Sequence, residues 1–111
     1  MAQTITTKTP RVASQVATGR YLDTGTVAAY TFSDLGFKPR YVKIVNLNAS
    51  GLVSLEWYEG MADDSAVKTA ANGAISVITS LGITVTDRGF TMGLDTDLNA
   101  SNEQVSWVAI G

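Results

Sequence analysis

The sequence predicts an all-β fold: a single-domain antiparallel β-sandwich, jelly-roll-like, with an extended N-terminal arm. Three observations predict it. Seven or so short segments rich in β-branched and aromatic residues recur every 8–14 residues, turn-forming residues separate them, and no helix-period stretch outlasts a few turns. At 111 residues the chain is one domain by length and long enough to bury a real core. The expected division is residues 1–13 for the arm and 14–111 for the sandwich.

The arm is Thr-rich and polar, and Pro10 pushes Thr9 toward extended geometry. The first strong strand signal is Thr26–Phe32, introduced by Asp23-Thr24-Gly25 and ended by Ser33-Asp34-Leu35-Gly36. Arg40–Leu47 is apolar on both faces apart from Arg40 and Lys43, the pattern of a central strand, with Pro39 where a strand can begin. After the turn Asn48–Gly51, the segment Leu52–Tyr58 alternates. Val53, Leu55 and Trp57 go to one side and Ser54, Glu56 and Tyr58 to the other, so the two segments should pair as a hairpin. Gly60–Asn72 is ambiguous: Asp63, Asp64 and Ser65 resemble an N-cap before Ala-rich helix formers, whereas Asn72-Gly73 is a strong hairpin signal. Loop then strand is the reading taken, with Ala66–Ala71 paired to Ala74–Thr79. Ile83–Thr86, Arg88–Met92 and Gln104–Ile110 complete the set.

Composition excludes more than it assigns. Hydrophobic residues make up 45% and charged ones 16%, well under the roughly 25% charge of an average soluble protein, so the surface must be built from Thr, Ser, Asn and Gln. A net charge of −2 and a pI near 4.8 give no Lys/Arg excess for nucleic acid or an anionic membrane, and neither is expected as a partner. With no His and no Cys, Ser-His-Asp and Cys-His nucleophiles, imidazole or thiolate zinc sites, iron–sulfur clusters and disulfides are all excluded. No cofactor is expected. Met1–Lys8 has no apolar run of a signal peptide and no stretch approaches a membrane span, so the expectation is a soluble, unexported chain.

Few constellations carry chemistry. Asp95-Thr96-Asp97-Leu98-Asn99 has the alternating oxygen spacing that opens a calcium loop. Ala100 stands where the loop needs Gly, and Ser106 where it needs a bidentate Glu, so turn capping is the preferred reading. Glu56, Glu59 and Glu103 are the only glutamates, and nothing builds a glycosidase cleft around them. Trp57 and Trp107 read as core anchors, while Tyr58, opposite Trp57 on its strand, is the better exposed contact. Lys38, Arg40 and Lys43 form the basic cluster, either a solvated rim or a contact to an acidic protein surface. Asn48-Ala49-Ser50 and Asn99-Ala100-Ser101 fit the glycosylation pattern but read as turns.

Gly36-Phe37-Lys38-Pro39-Arg40-Tyr41-Val42-Lys43-Ile44-Val45-Asn46, with Glu56-Trp57-Tyr58-Glu59-Gly60-Met61-Ala62, resembles a family of small tailed-bacteriophage structural modules. The ordered set Arg88-Gly89-Phe90-Thr91-Met92-Gly93, Asp95-Thr96-Asp97-Leu98-Asn99-Ala100-Ser101 and Trp107-Val108-Ala109 extends the likeness over about residues 26–111. Such modules are virion β-sandwiches that occur as head decoration (cement) proteins or as repeats in tail and fibre proteins, and no catalytic residue comes with them. The resemblance implies a non-enzymatic protein on the outer surface of the capsid, bound to the major capsid protein, as a homotrimer at local threefold axes. A tail- or fibre-associated receptor- or carbohydrate-binding module is the alternative. Thr4, Ile5, Thr6, Thr7 and Lys8 of the arm, which could add as a strand to a sheet edge, are the expected partner contacts, with Lys38, Arg40, Lys43 and Tyr58.

Overall fold

The computed structural model describes residues 15–22, 29–47, 52–95, 97–98 and 103–111. These residues form eight strands and no helix: β1 (Val16–Leu22), β2 (Tyr30–Phe32), β3 (Tyr41–Asn46), β4 (Ser54–Tyr58), β5 (Ser65–Thr69), β6 (Ile75–Thr86), β7 (Gly89–Met92) and β8 (Gln104–Ile110). Every pairing is antiparallel, and the strands make one sheet in the order β1-β8-β3-β4-β5-β6-β7-β2. The fold is all-β, antiparallel and a single domain.

Its layering differs from two stacked sheets. β3 to β7 run as a meander, β8 returns beside β3, and β1 and β2, neighbours in sequence, end at opposite edges. No strand pair is missing at which two sheets would separate, so twist accumulates along the row and curls it into a half-barrel. The two edges approach through side chains: the Tyr21 and Tyr30 rings lie 4.7 Å apart, and Phe32 lies 5.0 Å from Trp107. The second layer expected of a sandwich is the far side of the same sheet.

Alternation decides what the concave face buries. Register places Val42 opposite Trp57, Ile44 opposite Leu55, Ile83 opposite Met92 and Val85 opposite Phe90, and all but the partly covered Val85 are buried. Each such side chain contributes roughly 1.5–3 kcal/mol of transfer free energy. Leu98, from the β7–β8 connection, is buried with them. Gly19 answers a close approach: a Cβ there would sit 2.5 Å from the Trp107 ring, so only glycine lets β1 lie beside that indole.

The β3–β4 hairpin and its two faces are as expected, and β8 spans the expected residues. Between Gly60 and Asn72 a turn at Asp63–Asp64 leads straight into β5, in place of any helical turn. The β5–β6 connection is a three-residue loop, Ala71–Gly73: Ala70 N–H donates to the Ala74 carbonyl at 2.9 Å and Gly73 N–H to the Ala70 carbonyl at 2.9 Å. Gly73 has φ +86°, the left-handed position that such a loop assigns to glycine.

Two elements depart from expectation. β1 carries no strand in the sequence reading, and the two short segments 74–79 and 83–86 are one 12-residue strand, β6. The register explains the second: Ala66 pairs with Ile78 but Ser65 with Ile83, so four residues of β6, 79–82, bulge out between two regular halves. Of the predicted strand 26–32, residues 26–28 lie outside the described residues, as do the arm 1–13 and both Asn-Ala-Ser turns.

Candidate functional site

The convex face of the sheet holds a polar cluster centred on Glu56. Tyr41 and Tyr58 face each other across β3 and β4, and Lys43 lies opposite Glu56 one pair along. The Tyr41 hydroxyl donates to Glu56 Oε2 at 2.6 Å and the Tyr58 hydroxyl to the same oxygen at 3.1 Å. Their rings meet edge to face, 5.3 Å apart. One carboxylate oxygen is therefore fixed by two phenols, and Tyr58 stays 48% exposed.

The electrostatics follow from these contacts. The Tyr41 hydrogen bond holds the Glu56 carboxyl below its ordinary value against the opposing effect of burial, with Tyr58 and Lys43 acting the same way. Burial, then the Glu56 contact, pushes the Tyr41 phenol up, and the Glu56 hydrogen bond does the same to Tyr58. A depressed carboxyl contributes stability at neutral pH that disappears as pH falls through its folded value. Tyr41→Phe is expected to cost about 0.5–1.5 kcal/mol and to return the Glu56 titration toward about pH 4.3. A carboxyl-carbon NMR titration of both proteins checks it; an unmoved Glu56 would show that the phenol does not set its charge.

The basic residues are not gathered into one patch. Lys43 stands in the middle of the convex face, whereas Lys38 is exposed at the rim, in a groove it shares with Glu59 and Asp63. Arg40 is partly covered beside β3, its N–H donating to the Ile110 carbonyl at 2.7 Å and its carbonyl accepting from Glu59 N–H at 2.8 Å. Tyr58 joins Lys43 through Glu56 and not the other two. Thr4, Ile5, Thr6, Thr7 and Lys8 lie outside the described residues.

Asp95 and Asp97 do converge, but on a lysine. Lys68 Nζ lies 3.1 and 2.9 Å from the two Asp95 oxygens and 2.7 Å from Asp97 Oδ2. Asp95 also caps the turn, accepting Asp97 N–H at 3.0 Å. An ammonium thus occupies the place between the carboxylates where a cation would sit; Asn99 lies outside the described residues. The fully buried Asn46 ties the same connection to β3, donating to the Asp97 carbonyl at 2.8 Å and to Glu103 Oε2 at 2.9 Å.

Trp57 is buried, its Nε1–H donating to the Ala62 carbonyl at 3.3 Å. Trp107 packs edge to face on Phe90 at 5.1 Å. Phe37 and Phe90 are buried too, which removes these rings from any sugar-stacking face. The clamp on Glu56 went unread in the sequence, where Glu56 is one of three isolated glutamates. Its signal is the hairpin register, in which Tyr41 pairs with Tyr58 and Lys43 with Glu56. No protein-family model matches the chain, and no curated protein or solved structure matches it.

Proposed function

We propose that the protein is a non-enzymatic phage structural protein that decorates and stabilises the capsid from its outer surface. In this reading it binds the major capsid protein as a homotrimer at local threefold axes. The supporting observation is the division of labour across the sheet. The concave face is consumed by packing, while the convex face offers a broad, nearly neutral surface. There the Lys43–Glu56 pair and, on β1, the exposed Arg20 are set among the exposed Val16, Tyr58 and Ile110 and Val108. Neutral faces suit dense apposition of many copies, since like charges would repel at each contact. The ordered motifs of residues 26–111 point the same way.

The test is co-sedimentation of the purified protein with undecorated shells, beside a light-scattering mass. Saturable binding with many copies per shell and a trimeric mass are expected; failure to co-sediment would overturn the proposal. Deleting residues 2–12 should leave the circular dichroism spectrum unchanged and lower shell occupancy, and full occupancy by the truncated protein would remove the arm from the mechanism. One observation favours the second reading, a tail- or fibre-associated carbohydrate-binding module: an exposed Tyr58 ring beside a fixed carboxylate is a pairing that sugars accept. Glycan binding by the protein, lost in Tyr58→Ala, would select it.

A further inference from the structure

β6 is paired along both edges only at Ile83. Ile75–Ile78 pair with β5 on one side, and β7 begins only at Ile83 on the other. Among the described residues, no strand covers the second edge of Ile75–Leu81. Among the described residues the N–H and C=O groups of that edge have no strand partner, which makes the row a template for another extended backbone.

Natural sheets guard an edge of this kind with Lys, Pro or inward charge. Here the guards are missing: no charged residue and no proline occurs from Thr69 to Thr86. The side chains are apolar instead. Ile75 is 70% exposed and Val77 64%, more than any other large hydrophobic residue described. Both stand on the convex face, since Val77 pairs with Val67 and Ile75 with Thr69. Regular pairing stops at the bulge, where Leu81 takes φ +61°.

We propose that Ile75–Thr79 is a self-association edge, pairing antiparallel with the same segment of a second copy about a twofold axis through Val77. Antiparallel self-pairing keeps convex face with convex face only when the axis passes through a residue, because side chains alternate with period two. Centring on Val77 uses the regular stretch before Leu81. Val77 then packs on Val77 of the second copy, and Ile75 lies opposite Thr79. The absence of charge removes the repulsion that two identical strands otherwise bring to an isologous contact. Five residues of strand fall short of the roughly 1,200–2,000 Å² of a stable interface, so the contact is weak in dilute solution and fills at high local concentration. The contact runs along the strand edge of β6, and beside a threefold contact elsewhere on the protein it would link trimers into a net; it holds whatever the assembled protein covers.

The cysteine-free chain makes the register directly testable. Directly opposite residues have Cβ atoms about 4.5–5.5 Å apart, so Val77→Cys is expected to form a disulfide-linked dimer under mild oxidation. Ile75→Cys is not, because its counterpart lies about 13 Å along the partner strand at roughly 3.3 Å per residue. In a sedimentation concentration series, the parent's mass should rise with concentration and that of Val77→Lys should not, with an unchanged circular dichroism spectrum because the site is exposed. No cross-link in Val77→Cys, equal cross-linking of both cysteine variants, or an unchanged mass in a folded Val77→Lys would each overturn the pairing. Failure of shell binding alone leaves these readouts unaffected and bears only on the proposed function.

Discussion

Phe90→Ala is expected to destabilise the protein by about 3–5 kcal/mol, the usual cost of emptying a buried phenylalanine site. The ring is fully buried on β7, 4.9 Å from Phe32 and 5.1 Å from Trp107. Those two neighbours are the reason for placing it at the upper end of the range. Phe32 belongs to one free edge of the sheet and Trp107 lies next to the other, where Gly19 admits its indole. No backbone hydrogen bonds join β1 to β2 among the described residues, so the curl is held across its open side by rings. Removing the ring opens a cavity against the Phe32–Trp107 contact that joins the two edges, and the atoms lining a void find nothing to replace the dispersion attraction of the missing ring. For a domain slightly above 100 residues each kcal/mol is worth about 4 °C, which puts the fall in melting temperature on the order of 15–20 °C. Denaturant unfolding followed by tryptophan fluorescence measures it, with Tyr58→Ala on the exposed face as the control. A loss below about 1 kcal/mol for Phe90→Ala would show that the edges are held by something other than this cluster.

What the sequence made legible was set by the range of the interactions involved. β3, β4 and β8 could be read because each buries alternate residues in an uninterrupted run, and hydrophobic period is a local property. β1 alternates too, with Ala17, Gly19 and Tyr21 on the concave side, but its inward residues are small. Gly19 reads as a strand breaker until the Trp107 ring that excludes a side chain is in view. The continuity of β6 was hidden by its bulge, since residues 79–82 break the period and Leu81 takes a left-handed conformation. Curling of the row into one sheet depends on which strand β8 joins, a pairing of residues about 60–70 apart that no local pattern encodes. The site divided along the same line. Exposure of Tyr58 and burial of Trp57 follow from alternation on one strand, whereas the Tyr41–Glu56–Tyr58 clamp needs the register of two. The acidic spacing of Asp95 and Asp97 was visible, and the lysine they hold, 27 residues from Asp95, was not.

That lysine carries the second large effect. Lys68→Met is expected to cost about 2–4 kcal/mol, somewhat below the roughly 3–5 kcal/mol of breaking a fully buried pair, because Lys68 keeps a little solvent contact and Asp97 is exposed. Asp95 makes the cost large: its carboxylate is buried, and without the ammonium it loses its counter-charge and keeps only the Asp97 N–H. Asparagine at 95 keeps an oxygen for that N–H and removes the charge. Lys68→Met with Asp95→Asn should therefore recover more than half of the loss, an outcome that poorer packing of the lysine stem would not produce. The pH dependence has a defined sign. Burial alone would lower the Lys68 pKa, but the hydrogen bonds it donates to Asp97 and Asp95 outweigh it and the net shift is upward. A cation whose folded pKa is raised contributes stability that is complete below its unfolded value, about 10.4, and is lost as pH climbs through the folded one. Tyr41 is also raised, which favours its protonated form in the folded state and adds to the loss above about pH 10. The parent should thus weaken steeply in alkali, and Lys68→Met should weaken less steeply over the same interval. Stability curves of the parent, the single and the double variant between neutral and strongly alkaline pH decide it: parallel alkaline slopes, or a double variant no better than the single one, would mean that the β7–β8 connection is held to β5 by something other than charge.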